Sequence, residues 1–179
     1  NQWWMAENLK VKHYRNGEEI PYVIGSGSWA TLTIGAYCYY DYRDDLGSKY
    51  GGLYNWYAVN DSRGLAPEGW HLPSDADWQT LKDYLNGDAA AGGKMKETGE
   101  AWASPNIGAT NESGFSALPG GEIDEVGTFR HSYTNGKFWY SSDFSNDAAW
   151  YCSLYYAGSY ADRTGAFKRT GLSVRCIRD

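Results

Sequence analysis

The sequence contains few aliphatic side chains for its length. Of 179 residues, only 22 are Leu, Ile or Val, whereas 30 are Trp, Tyr or Phe. A low aliphatic content indicates disorder when the net charge is also high, but here the net charge is only -6. Each buried aromatic ring removes about 150–250 Å² of surface from water. The composition therefore predicts an ordered domain with an aromatic core.

Other features that the sequence lacks exclude or disfavour several classes of protein. No apolar run approaches the roughly 20 residues of a membrane-spanning helix, so we expect no insertion into a membrane. The isoelectric point is near 5.0 and basic residues form no run, which disfavours nucleic acid as a partner. There are only 3 cysteines, too few for a zinc site built from paired CxxC motifs.

Motifs of known catalytic chemistry are also absent. The chain has no HExxH, GxSxG, P-loop or GxGxxG string. We expect His71, in the string GWHLPS, to be a hydrogen-bonded structural residue. The carboxylates of Asp41, Asp44 and Asp45 suit a hard cation, but their spacing is not that of a calcium loop, and we expect a surface loop instead. The sequence thus predicts a protein that is not an enzyme and holds no cofactor or metal.

The clearest secondary-structure signal lies in residues 73–86. Ser74 is a good N-cap, and Trp78, Leu81 and Leu85 share one helical face, so the spacing predicts a helix that ends at Asn86-Gly87. We expect residues 88–113 to be a loop.

Strand-forming residues dominate from Phe115 onward. They occur in the strings FSALPGG, FWYSSDF, AWYCSLYY and LSVRCIR, and Asn135-Gly136 suits a hairpin turn. One or two helices before a twisted antiparallel sheet, with many loops, define an α+β fold.

The tail, residues 150–179, mixes core and display residues. Trp150, Leu154, Val174 and Ile177 are candidates for the core. Between them, Tyr, Ser, Gly and small polar residues dominate, as they do in binding surfaces that combine rigid aromatic contacts with adaptable hydrogen bonds. An ordinary sheet edge, where Tyr and Thr are common, explains the composition equally well.

Long strings spread over nearly the whole chain resemble one family. NQWWMAENLK, GLYNWYAV, PEGWHLPSDADWQTLKDYL, ATNESGFSALPGG, FWYSS and GLSVRCIRD are similar to the Fibrobacter succinogenes major paralogous domain. The resemblance implies a C-type lectin-like fold, related to that of formylglycine-generating enzymes, in which the N- and C-terminal strands pair. We expect residues 1–179 to form a single domain that is the C-terminal part of a longer protein.

The resemblance also bears on the cysteines. Many members have Cys where this chain has Ala66. Cys38 and Cys176 fall in the family strings GAYC and VRC, and the resemblance implies that these two pair if a disulfide forms; two buried thiols are the alternative. Cys152 is then unpaired.

In some family members the tail is rich in Asn, whereas this chain has no Asn after Asn146. The residues at those positions are all reachable from an Asn codon by changes at its adenines. This pattern resembles variable proteins of diversity-generating retroelements, which mutate adenines in a C-terminal repeat.

These observations predict a non-enzymatic recognition or display domain with a variable C-terminal binding face. Its partner would be a protein or a cell-surface ligand, including a glycan, and its location the cell surface, the extracellular space or a virion. A fixed adhesive or carbohydrate-binding domain is the alternative. An oxidase of the formylglycine-generating type is disfavoured because Cys152 and Cys176 lack the close spacing that this chemistry implies. The predicted ligand-binding residues are Cys152, Ser153, Tyr155, Tyr156, Ser159, Tyr160, Asp162, Thr164 and Phe167.

Overall fold

The computed structural model describes residues 1–179 and consists of short helices and strands joined by long loops. The helices are α1 (Ser26–Ala30), α2 (Asp44–Tyr50), α3 (Trp56–Val59), α4 (Asp75–Tyr84) and α5 (Asp88–Met95), with a 3₁₀ turn at Tyr40–Tyr42. The strands are β1 (Tyr37–Cys38), β2 (Leu53–Tyr54), β3 (Trp70–His71), β4 (Glu122–Ile123), β5 (Phe129–Arg130), β6 (Asn135–Asp143), β7 (Ala148–Tyr155), β8 (Ala161–Phe167) and β9 (Ile177–Arg178). Few helices and small antiparallel sheets give an α+β architecture, as the sequence predicts, although five helices precede the main sheet rather than one or two.

The main sheet has the strand order β6-β7-β8 and is antiparallel throughout. Trp139 and Tyr151 point from one face of this sheet into the largest core cluster, which also contains Tyr54 and Leu172. Side chains on the other face enter a second cluster beside α4 and α5; they are Phe138, Tyr140, Cys152, Leu154 and Ala161. Because the sheet is covered on both faces, its central strand β7 carries buried side chains at consecutive positions.

The two ends of the chain lie side by side, as the family resemblance implies. The amide of Met5 donates to the carbonyl of Cys176 at 3.0 Å, and that of Leu9 donates to Val174 at 2.8 Å. Strand β9 pairs in turn with β3. The first and last segments of the described chain are therefore part of one hydrogen-bonded layer.

Arg175 crosslinks this layer from the inside. Its guanidinium is buried and donates to Asn8 Oδ1 at 2.6 Å, to the carbonyl of Met5 at 2.9 Å and to the carbonyl of Phe115. Burial lowers its pKa to about 9. One side chain of the tail thus joins the N-terminal segment to the loop at Phe115.

Helix α4 confirms the prediction for residues 73–86. Ser74 and Asp77 form a reciprocal capping box, in which each side chain accepts a hydrogen bond from the backbone N–H of the other residue. The apolar face of α4 carries Trp78, which is fully buried. Gly87 follows with φ of 84° and donates its N–H to the carbonyl of Lys82, which ends the helix.

Several secondary-structure predictions were wrong. In the string LSVRCIR, only Ile177–Arg178 forms a strand. Residues 88–95 form α5 rather than loop, because its Ala and Gly residues pack closely against the tail. Residues 115–121 form no strand and make only a single bridge, between Lys96 and Ala117. Asn135 and Gly136 begin strand β6 instead of forming a hairpin turn, because their partners across the sheet are Tyr155 and Leu154.

The cysteines are three free, buried thiols, so the pairing of Cys38 with Cys176 is not formed. Cys38 lies in a small cluster with Trp29, whereas Cys176 lies in the largest cluster. Burial raises the pKa of both Cys152 and Cys176 to about 12.

Of the four tail residues predicted for the core, Leu154, Val174 and Ile177 are buried and Trp150 is only partly so. None of the helices has the length and apolar character required to cross a membrane.

Candidate functional site

The register of the sheet divides the predicted ligand-binding residues into three groups. Side chains alternate between faces along a strand, and residues directly opposite each other share a face. Ser153 lies opposite Asp162, and Tyr151 lies opposite Thr164. The first group lies on one face of β7 and β8. We call this group, together with the loop that joins the two strands, the tail face. It comprises Ser153, Tyr155, Asp162 and Thr164 of the strands and Tyr156, Ser159 and Tyr160 of the loop.

The other two groups lie off this face. Cys152 points into the second core cluster and has 0% of its surface exposed, so it cannot contact a ligand and its inclusion was wrong. The alternation of side chains along β7 turns Cys152 toward this cluster. Phe167 is exposed, but it lies opposite Ala148 on the reverse side of β8 from Asp162 and Thr164.

Three tyrosines form the aromatic part of the tail face. The rings of Tyr155 and Tyr156 meet edge to face with centroids 4.7 Å apart. The neighbouring Tyr156 side chain raises the pKa of Tyr155. The ring of Tyr160 lies directly over Gly158, where a Cβ would overlap it, and remains 40% exposed. The rings of Tyr155 and Tyr156 are half-buried, and that of Tyr156 packs against the second core cluster, so Tyr160 is the most exposed of the three.

The backbone of this loop is held by groups outside it. The carbonyl of Tyr156 accepts from the N–H of Ile107 at 2.7 Å, and the N–H of Tyr156 donates to Thr134 at 2.9 Å. The carbonyl of Ser159 accepts from the N–H of Gly93 in α5 at 2.9 Å. None of these bonds involves a side chain of the loop.

Lys96 completes this support and is buried with 0% exposure. Its ammonium donates to the carbonyls of Tyr155 at 2.9 Å, Gly158 at 2.8 Å and Ile107 at 2.9 Å. Burial lowers the pKa of Lys96 to about 8. The sequence prediction missed this residue, because it lies in the segment expected to be a loop.

Two glycines of α5 allow the loop to approach the helix. A Cβ at Gly92 would overlap the carbonyl oxygen of Tyr160, and one at Gly93 would overlap that of Gly108. Ser159 packs between Gly93 and Gly108. The Gly-Gly pair in the string AAAGGKMK is the signal from which this contact could have been anticipated.

A charged group borders the tail face on the β6 side. Lys137 lies opposite Ser153 and pairs with Glu122 at 2.8 Å, and His131 Nδ1 lies 2.8 Å from the same carboxylate oxygen. Lys137 and Glu122 are both buried. Burial, followed by the charge of Glu122, raises the pKa of Tyr151 to about 12. These residues were also missed, since nothing in their spacing marks them as neighbours.

On the reverse face of β8, opposite Cys152, Arg163 ties the strand to its neighbours. Its Nε donates to Asp75 Oδ1 at 2.6 Å, and its guanidinium lies 3.5 Å from the centroid of the Trp150 ring. The ring of Phe144 meets Trp150 edge to face on the same side. Strand β8 is thereby tied to the first turn of α4.

The other polar residues considered in the sequence have local roles. His71 Nδ1 lies 2.8 Å from Asp179 Oδ1, which fits a structural histidine. Asp44 and Asp45 begin helix α2 instead of lying in a surface loop, and Asp45 pairs with Arg43 at 2.6 Å. No group of three or more His, Cys, Asp or Glu side chains is arranged to hold a metal ion.

Taken together, these features define an α+β domain that displays a tail face of tyrosines, hydroxyls and one carboxylate on a backbone held by the scaffold. The chain belongs to the Fibrobacter succinogenes major domain family, whose family model matches residues 1–178. No curated protein and no solved structure matches the chain.

Proposed function

We propose that this protein is a non-enzymatic recognition domain that binds a protein or another cell-surface ligand through the tail face. The main support for this proposal is that the groups holding the loop backbone are different from the side chains that the loop displays. The loop backbone is held by Lys96, Gly93, Ile107 and Thr134, whereas the ring of Tyr160 is exposed and that of Tyr156 is partly exposed. A preformed backbone lowers the entropy lost on binding, and exposed rigid tyrosines supply contact area.

The finer assignment is a C-type lectin-like fold with a variable tail, as in variable proteins of diversity-generating retroelements. What supports this assignment is that the backbone bonds holding the loop do not involve the side chains of Tyr155, Tyr156, Tyr160, Asp162 or Thr164. Such a protein would act at the cell surface, outside the cell or on a virion. It would require no cofactor.

A fixed adhesive or carbohydrate-binding domain is the second candidate. The clustered rings of Tyr155 and Tyr156 favour it, since aromatic rings stack on the apolar faces of sugars. The nucleotide sequence beside the gene separates the two candidates. A near-copy of the tail codons with adenines at the display positions, next to a reverse transcriptase, indicates a variable tail, and the lack of such a copy indicates a fixed one.

An oxidase of the formylglycine-generating type receives less support. Cys152 and Cys176 lie in different core clusters, and burial raises the pKa of both thiols, which disfavours the reactive thiolate.

Binding is tested by removing two aromatic rings of the loop. The double variant Tyr156→Ala/Tyr160→Ala and the control Tyr84→Ala are each applied to an array of cell-surface proteins and glycans. Tyr84 is a matched control because it is 81% exposed on α4, outside the tail face. We expect ligands of the unmodified protein to lose at least about tenfold in affinity for the double variant, as aromatic hot spots do, and to bind the control normally.

Thermal unfolding shows whether the double variant remains folded. Its midpoint should lie within about 5 °C of the unmodified protein, because about 1 kcal/mol shifts a domain of this size by a few degrees. A folded double variant that binds every ligand normally would contradict the proposed function.

A further inference from the structure

The buried side chain of Lys96 contacts the turn of the tail face. Its side chain is fully buried, and its interactions are hydrogen bonds to three backbone carbonyls and a cation–π contact with the Trp102 ring at 5.4 Å. A buried ammonium has a large desolvation cost, which good hydrogen bonds must offset. A methionine at this position would fill similar space but would leave the three carbonyls without this donor.

The position of the three carbonyls suggests what the ammonium achieves. Tyr155 and Gly158 flank the turn at the top of the tail face, and Ile107 belongs to the segment that lies against it. A lysine ammonium has three donors on one nitrogen, so three acceptors are drawn to fixed directions around a single point. The two ends of the turn are thus held at a set separation from each other and from Ile107.

Lys96 is itself fixed by the scaffold. It follows α5 directly, donates its N–H to the carbonyl of Gly92 at 3.0 Å and forms a parallel bridge with Ala117. Its side chain therefore fixes the turn relative to the C-terminal end of α5. No side chain of the turn takes part in this link.

We propose that Lys96 is a positioning residue for the tail face, whose ammonium holds the turn at residues 155–158 in one conformation whatever side chains the turn displays. The biological meaning of this role rests on the proposed function, but the role itself does not. The structural effect is measured without any ligand.

The test compares Lys96→Met with Lys82→Met by amide hydrogen exchange. Lys82 is a matched control, because it is also buried but pairs with Asp88 at 2.7 Å instead of contacting the turn. In Lys96→Met we expect exchange in residues 155–160 to rise at least about tenfold through local opening, with protection of β6 and β7 retained. In Lys82→Met the turn should exchange as in the unmodified protein.

Three results would overturn the proposal. Exchange in 155–160 is unchanged in Lys96→Met, exchange rises equally throughout the protein, or Lys96→Met fails to fold while Lys82→Met folds. The last two would assign Lys96 to general stability.

A second measurement needs no variant. Backbone order parameters of residues 155–160 in the unmodified protein should equal those of β7, near 0.85, whereas values below about 0.6 would show that nothing holds the turn. If the turn loosens in Lys96→Met but the array reveals no ligand, the positioning role stands and the proposed function fails. If ligands bind but the turn does not loosen in Lys96→Met, the proposed function stands and the positioning role fails.

Discussion

At the scale of single residues, burial decides which side chains remain chemically available. Cys152 was expected on the binding surface, but it lies inside because β7 is covered on both faces and shows no polar alternation in the sequence. Lys96 and Arg175 are buried cations that bind carbonyls instead of carboxylates, apart from the bond of Arg175 to the Asn8 amide oxygen. Composition could identify the display residues as a group, but it could not identify the residues that support them.

The state of the thiols gives a prediction at this scale. Because burial raises the pKa of Cys152 and Cys176 to about 12, neither forms appreciable thiolate at pH 8.5, and neither is accessible. Iodoacetamide at that pH should modify no cysteine in the folded protein and all 3 in guanidinium, as counted by intact mass. Modification of only one cysteine in guanidinium without reductant would reveal a disulfide and contradict the structure.

At the scale of elements, local signals predicted one helix and missed the next. The capping box at Ser74 and the apolar spacing in α4 lie within the helix itself, so the sequence reveals them. Helix α5 has adjacent glycines, which lower helix propensity by about 1 kcal/mol each relative to alanine. Its glycines contact Ser159 and Tyr160, which lie more than sixty positions further along the chain. Single-segment patterns do not contain that information.

Replacing Gly92 tests this dependence. Gly92→Ala should raise helix propensity but place a Cβ against the backbone carbonyl of Tyr160, with an expected net loss of about 1–3 kcal/mol in the free energy of unfolding. Gly27→Ala in α1 is the control, because no atom lies within 4 Å of its Cβ, and it should be neutral or stabilising by up to about 1 kcal/mol. Guanidinium unfolding measures both, and equal effects of the two substitutions would show that α5 does not press on the loop.

At the scale of the whole molecule, the tail plays two parts. Its last residues, from Leu172 to Ile177, are buried and bind the N-terminal segment, whereas β8 and the preceding loop carry the exposed side chains. The family strings revealed the first part, because they contain the buried residues. The exposed side chains could be predicted only as a group, from composition. Which of them share a face depends on the sheet register, which is set by the pairing of β6, β7 and β8.

The central claim is that the display positions can change freely while the scaffold stays folded. Two surface-displayed libraries test it by protease resistance. The first randomises positions on the tail face, namely Tyr155, Tyr156, Tyr160, Asp162 and Thr164. The second randomises an equal number of buried positions on the reverse of the same sheet, namely Phe138, Tyr140, Cys152, Leu154 and Ala161. Most members of the first library should resist protease as the unmodified protein does, and few of the second should; equal losses in both would contradict the claim.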